Sequence, residues 1–137
     1  MSISRIYTGG CQCGAVRYRA EGTLADPHLC HCRMCQKAAG NYFMPLANAP
    51  RASFRITRGE PSWFYSSEVA RRGFCAACGT QVSFTASFLP GLIDITIGSL
   101  DRPEAIPPTL HYWHAEHLSW AEFADDLPRH KELPPFG

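Results

Sequence analysis

From residue 16 the side chains alternate: Val16, Arg17, Tyr18, Arg19, Ala20. A period of two is the mark of a strand with one face buried, and it predicts a strand over 15–20. Ser53-Phe54-Arg55-Ile56-Thr57 repeats the pattern. Short runs rich in β-branched and aromatic residues follow at 63–66, 81–85, 92–97 and 110–113. Gly, Pro and Ser punctuate the chain between them. Many short strands with frequent turn signals predict a mainly β domain of antiparallel strands. Helical patterning is confined to 33–39, stopped by Gly40, and to a turn or two at 120–124. No repeat or low-complexity run interrupts the chain, so residues 1–137 are read as a single domain. The tail, 133–137, is expected to be loosely ordered.

Length agrees with that reading, because 137 residues is the usual size of one domain. Apolar residues make up 45% of the chain, enough for a sizeable core. Charged residues are 18% and the formal net charge is +1. That balance offers no electrostatic footprint for nucleic acid or an anionic membrane. No apolar run approaches the roughly 18 residues of a spanning helix. The segment MSISRIYTGGCQCG has no apolar signal-type core. The expectation is a soluble, cytoplasmic protein.

Seven cysteines change the picture. They stand as C-x-C (Cys11, Cys13), C-x-C-x-x-C (Cys30, Cys32, Cys35) and C-x-x-C (Cys75, Cys78). An odd number in a chain without an export signal argues against a disulfide framework. Cysteines kept as small core hydrophobes would scatter, whereas these are grouped at metal-ligand spacing. Two thiolates three apart on a tight turn grip one ion, and Gly79 permits the left-handed backbone after Cys78. Cys11-Gln12-Cys13-Gly14 has the same build with one residue fewer. Together the two half-sites make one tetrahedral four-cysteine site that ties the N-terminal strand to mid-chain. Closing so long a loop assigns this site to structure.

Cys30, Cys32 and Cys35 remain. Structural zinc sites are closed by four ligands, while catalytic ones hold three and leave a position open. Three thiolates with a vacancy is the simple reading. A fourth ligand from His31, or from His111, His114 or His117, is an alternative, as is a wholly structural second site. His31 lies between two ligands in an extended stretch, so its side chain should point away from theirs. It then serves as a proton relay, a supporting donor or a packed residue. An open zinc held by thiolates suits thiol chemistry: an incoming thiol is deprotonated and oriented.

These residues carry a family resemblance that spans nearly the whole chain. It runs through Gly9-Gly10-Cys11-Gln12-Cys13-Gly14-Ala15-Val16, Cys30-His31-Cys32-Arg33-Met34-Cys35 and Phe74-Cys75-Ala76-Ala77-Cys78-Gly79-Thr80. It continues in Gly98-Ser99-Leu100-Asp101, Pro108-Thr109-Leu110-His111-Tyr112-Trp113 and Asp126-Leu127-Pro128. The sequence resembles the glutathione-dependent formaldehyde-activating enzymes, the centromere-protein-V/GFA domain. The resemblance implies a β-tent zinc-binding fold. It implies a structural zinc on Cys11, Cys13, Cys75 and Cys78 and a catalytic zinc on Cys30, Cys32 and Cys35, two per chain. It implies a carbon–sulfur lyase that condenses glutathione with formaldehyde to S-hydroxymethylglutathione.

On that reading the thiol enters beside the trio, its proton leaves through water or a nearby base, with His31 the closest candidate, and the thiolate attacks the aldehyde carbon. Glutathione's carboxylates call for cations. Arg33, Lys37, Arg71 and Arg72 are the nearest in sequence, each also readable as a solvated surface charge. Met34, Tyr42, Phe43, Trp63, Phe64 and Trp113 are assigned to the core. Along the late strand His111 and Trp113 should face one side and Tyr112 and His114 the other. A related zinc enzyme acting on another thiol adduct and a non-catalytic zinc-stabilised binding module are the alternatives. Partners are small molecules, with no nucleic acid or membrane; a homodimer is compatible.

Overall fold

The computed structural model describes residues 5–135. Among them ten strands form two sheets. Strands β1 (Ile6–Gly10), β2 (Arg17–Glu21) and β5 (Phe54–Arg58) make a small sheet in the order β1-β2-β5. The larger sheet contains β3 (Ala25–Cys30), β4 (Met44–Pro50), β6 (Ser62–Tyr65), β7 (Ala70–Phe74), β8 (Gln81–Ala86), β9 (Leu92–Thr96) and β10 (Leu110–Tyr112). Its order is β10-β3-β4-β9-β8-β7-β6. Neighbours pair antiparallel except β10, which runs parallel to β3. The one α-helix among the described residues, α1 (Arg33–Ala39), starts at an N-cap on Cys32 and ends at Gly40, whose φ of 59° is left-handed. No helix among the described residues is long and apolar enough to cross a membrane.

The alternating segments become strands within two residues of their expected bounds. Strands β1, β3, β4 and β7 carry no clean alternation and escape the pattern. β3 contains Pro27 and bulges between Ala25 and His28, with Asp26 at φ 44°. β4 is apolar except for Asn48, as a strand covered on both faces tends to be. β7 buries Arg72, which reads as a surface residue from sequence. The expected helical turn at 120–124 is irregular backbone; the nearest helical turn is a 3-10 turn at His114–Glu116. Part of the tail is tied down. The Trp113 amide donates to the Glu132 carbonyl, and Leu133 packs beside the Cys30–Tyr112 cluster. Residues 136–137 of the expected loose tail lie outside the described residues.

Three apolar clusters organise the interior. The largest packs Tyr18 and Ala20 of the small sheet against Ala47, Ala49, Val82, Ile93 and Ile95 of the large one. A second joins Cys30, Cys32 and Cys35 to Met44, Leu46 and Tyr112 on the other face of the large sheet. The third is local to Cys11, Val16, Cys75 and Cys78.

Candidate metal centres and an adjoining chamber

The first cysteine group is built by two turns. Cys11-Gln12-Cys13-Gly14 follows β1 and Cys75-Ala76-Ala77-Cys78-Gly79 follows β7. Both glycines sit at φ 82°, so each turn closes left-handed at the same point. The four sulfurs lie together, with Cys11 and Cys13 3.6 Å apart and Cys13 and Cys75 3.8 Å apart. The Val16 amide donates to Cys11 Sγ at 3.2 Å, and the Thr80 hydroxyl sits 3.3 Å from Cys78 Sγ. That hydroxyl contact holds the Cys78 thiol down, at about 5. A tetrahedral ion with metal–sulfur bonds of about 2.3 Å spaces its sulfurs about 3.8 Å apart. A disulfide would need about 2.05 Å, and all seven cysteines are free. The donor set and its spacing therefore fit a metal ion.

The second group, Cys30, Cys32 and Cys35, comes from the end of β3 and the first turn of α1. Its sulfurs are all buried, with Cys30 and Cys32 3.5 Å apart. The Cys35 amide donates to Cys32 Sγ, and Arg72 Nη2 donates to Cys35 Sγ at 3.5 Å. Hydrogen bonds within the trio push Cys30 well above its ordinary value and Cys32 down to about 2. Three thiols so close cannot all ionise unless a cation joins them. No fourth histidine, cysteine or carboxylate among the described residues completes this group.

His31 turns its ring away from the trio. Its Nε2 lies 2.8 Å from His111 Nδ1, and His111 Nε2 lies 3.2 Å from Asp125. With Asp125 accepting from His111 Nε2–H, His111 Nδ1 must accept, so His31 Nε2 donates. Burial pulls His31 down to about 4, which keeps the ring neutral. His114 and Phe123 pack edge-on against it. Of the late strand, His111 and His114 face this cluster, whereas Tyr112 and Trp113 face the trio. The expected pairing of His111 with Trp113 fails because Trp113 is left-handed, at φ 55°, and breaks the alternation.

The trio forms part of the wall of a chamber of about 240 Å³. Its lining includes Arg33, Met34, Trp113 and Arg72, together with Asn48 and Asp94, which sequence reasoning missed. A polar residue inside an otherwise apolar strand pattern (Asn48 in MPLANAP, Asp94 in LIDIT) is the signal that could have found both. Arg72 is buried, while Arg33 and Lys37 are exposed and Arg71 stacks over Trp63 at 4.1 Å. Trp63 and Phe64, expected in the core, are exposed because β6 is an edge strand. Burial pushes the Asp94 carboxyl up to about 7, against the pull of Arg72.

The family model described as "Glutathione-dependent formaldehyde-activating enzyme" matches residues 6–116, which contain all seven cysteines. The chain belongs to this family. A relative from Halomonas elongata, named "Putative glutathione-dependent formaldehyde-activating enzyme", is 26% identical over 123 residues, covering 83% of this chain and 78% of its own. An uncharacterised lyase of Schizosaccharomyces pombe is 33% identical over 81 residues, 57% of this chain and 56% of that protein. A crystal structure of a Rhodobacter sphaeroides protein, 24% identical, shares the fold with a TM-score of 0.58 over 69% of this chain and 87% of its own. Family membership and the lyase names support an enzyme of lyase type.

Proposed function

We propose that the chain is a zinc-dependent carbon–sulfur lyase that joins a thiol to formaldehyde, glutathione being the thiol its family is named for. The observation that carries this reading is the buried cysteine trio at a chamber wall with no fourth protein ligand among the described residues. Cys11, Cys13, Cys75 and Cys78 would hold a structural zinc and Cys30, Cys32 and Cys35 a second one. Bound there, the second ion would offer a position for a substrate sulfur and lower the pKa of its thiol.

The chain's own residues do the rest. α1 and the end of β3 hold the three sulfurs, and Arg72 supplies a positive charge beside Cys35. The chamber would confine the two reactants beside the trio, which is where most of the acceleration would arise. In balance, the thiol S–H bond breaks, sulfur bonds to the carbonyl carbon, and the proton ends on the former carbonyl oxygen. No electrons are gained or lost. Asp94 Oδ1 is buried, lacks a partner among the described residues and lines the chamber, so it is assigned as the proton carrier. His31, placed outside the chamber, is assigned a positioning role through the His31–His111–Asp125 chain, which braces the back of the cysteine turn.

Formation of the hemithioacetal from thiol and formaldehyde tests this. The protein should accelerate it above the spontaneous rate, and a chelator should remove the acceleration. No acceleration with any thiol would end the proposal.

A further inference from the structure

Four residues form a row across the large sheet. Asn48 of β4 pairs with Asp94 of β9, Asp94 with Phe84 of β8, and Phe84 with Arg72 of β7. Cross-strand partners point to the same face, and all four line the chamber. Asn48, Asp94 and Arg72 are each at least 96% buried. Asn48 Oδ1, Asp94 Oδ1 and Arg72 Nε have no hydrogen-bond partner among the described residues. Native interiors seldom leave such atoms unmet, so three together facing one cavity point to a ligand.

Beside the row the chamber has an apolar wall of Val69, Phe88, Leu89, Trp113 and Leu133, with His28, Arg33, Ser67 and Glu116 also in its lining. About 240 Å³ is far more than formaldehyde needs. One water takes roughly 10–15 Å³ of such volume, and an apolar cavity of about 150 Å³ accepts benzene. Glutathione matches these walls poorly. It brings two carboxylates and an ammonium, and each needs a charged or hydrogen-bonding partner once out of water. The cations lining the chamber are Arg33 and Arg72, offset by Asp94 and Glu116. The Arg72 guanidinium is already committed to Cys35 Sγ and Met44 Sδ and stacks 4.8 Å from the Phe84 ring.

We propose that the substrate held against Cys30, Cys32 and Cys35 carries a compact apolar body, the bulk of an aromatic ring or branched aliphatic chain, and one oxygen function that bonds to the Asn48–Asp94–Arg72 row. Its class is an apolar thiol–aldehyde adduct rather than a charged peptide thiol. The inference rests on reading the trio as the reacting site. It keeps the bond made and broken there and changes the body that enters. The apolar group belongs either to the thiol or to the aldehyde.

Benzyl alcohol has the ring and the hydroxyl but no sulfur, so it probes the chamber apart from the reaction. Calorimetry on the zinc-loaded protein should show saturable binding of one molecule per chain. Val69 is half exposed and lines the chamber, and Val69→Trp should weaken that binding at least about tenfold by filling its space. Asn48→Leu should weaken it roughly five- to tenfold by removing a buried hydrogen bond. Val69→Trp does not depend on the core tolerating a change. Turnover is then compared for benzyl mercaptan with formaldehyde, mercaptoethanol with phenylacetaldehyde, and glutathione with formaldehyde. A higher kcat/KM for the first pair puts the apolar body on the thiol, and for the second on the aldehyde. Failure of benzyl alcohol to bind, indifference of binding to Val69→Trp, or a kcat/KM highest for glutathione with formaldehyde overturns the inference. Binding with the expected variant pattern but no turnover of any pair overturns the reaction and leaves the ligand class standing.

Discussion

Asp94 shows how one side chain acquires a role from its surroundings. In sequence it is an acidic residue between two isoleucines. In the fold it sits on a central strand, away from water, and its charged form is penalised until its value reaches about 7. Arg72, which pulls it down, shares its chamber with His28, Arg33, Tyr112 and Glu116. If Asp94 takes the substrate proton, only its ionised form works. The rate should therefore rise with pH through about 7 and level off above it. Asp94→Asn should abolish that limb of the kcat/KM profile and cut activity by roughly a hundredfold or more. A profile unchanged in the variant would assign the proton to another group. Arg72 makes the complementary point: its neighbour Arg71 carries the same charge, and only strand register puts one inside and the other against Trp63.

Among elements, the small sheet depends on what ties it to the large one. Arg17 of β2 makes a double hydrogen bond to Asp101 at 2.9 and 2.6 Å, and Thr8 of β1 donates to the same carboxylate. The Tyr18 and Ser99 hydroxyls meet at 2.7 Å just beneath. The Arg17 and Thr8 hydrogen bonds hold Asp101 down at about 2. A carboxyl lowered on folding stabilises above its unfolded value of about 4, and that contribution is lost as pH falls through about 2. Asp101→Asn should therefore lower the melting temperature at pH 7. The gap from the parent protein should narrow steadily between pH 4 and pH 2. A gap independent of pH would mean that packing, not charge, holds the two sheets here.

For the whole molecule, the two cysteine groups differ in what they join. Cys11 and Cys13 lie about sixty residues from Cys75 and Cys78, and an ion among them would close that loop, a constraint worth about 4 kcal/mol in chain entropy. The trio spans a single turn and constrains little. Cys32→Ser should accordingly lose one zinc by elemental analysis and keep a cooperative thermal transition. Cys75→Ser should lose the fold's clamp and precipitate or melt far lower. Equal behaviour of the two variants would refute the division of labour.

Much of this was legible beforehand because it is local. Alternation locates a strand wherever one face meets water, as in β2. A glycine in the left-handed region ends α1 at Gly40, and cysteine spacing declares a metal group because ligands on one turn must be near in sequence. Strands covered on both faces, such as β4, lose their period and so their signal. Asn48 in β4 and Asp94 in β9 hint at the chamber in sequence, but its assembly has no signal. Asn48, Asp94, Phe84 and Arg72 come from four strands, and nothing in the chain order makes them neighbours. The chain alone determined its cysteine groups at metal-ligand spacing and its β class, since these reside in residue types at short spacing. Only the tertiary structure decided which face the cysteine trio overlooks, where His31 points and what could enter, because those are set by sheet order and register between distant segments.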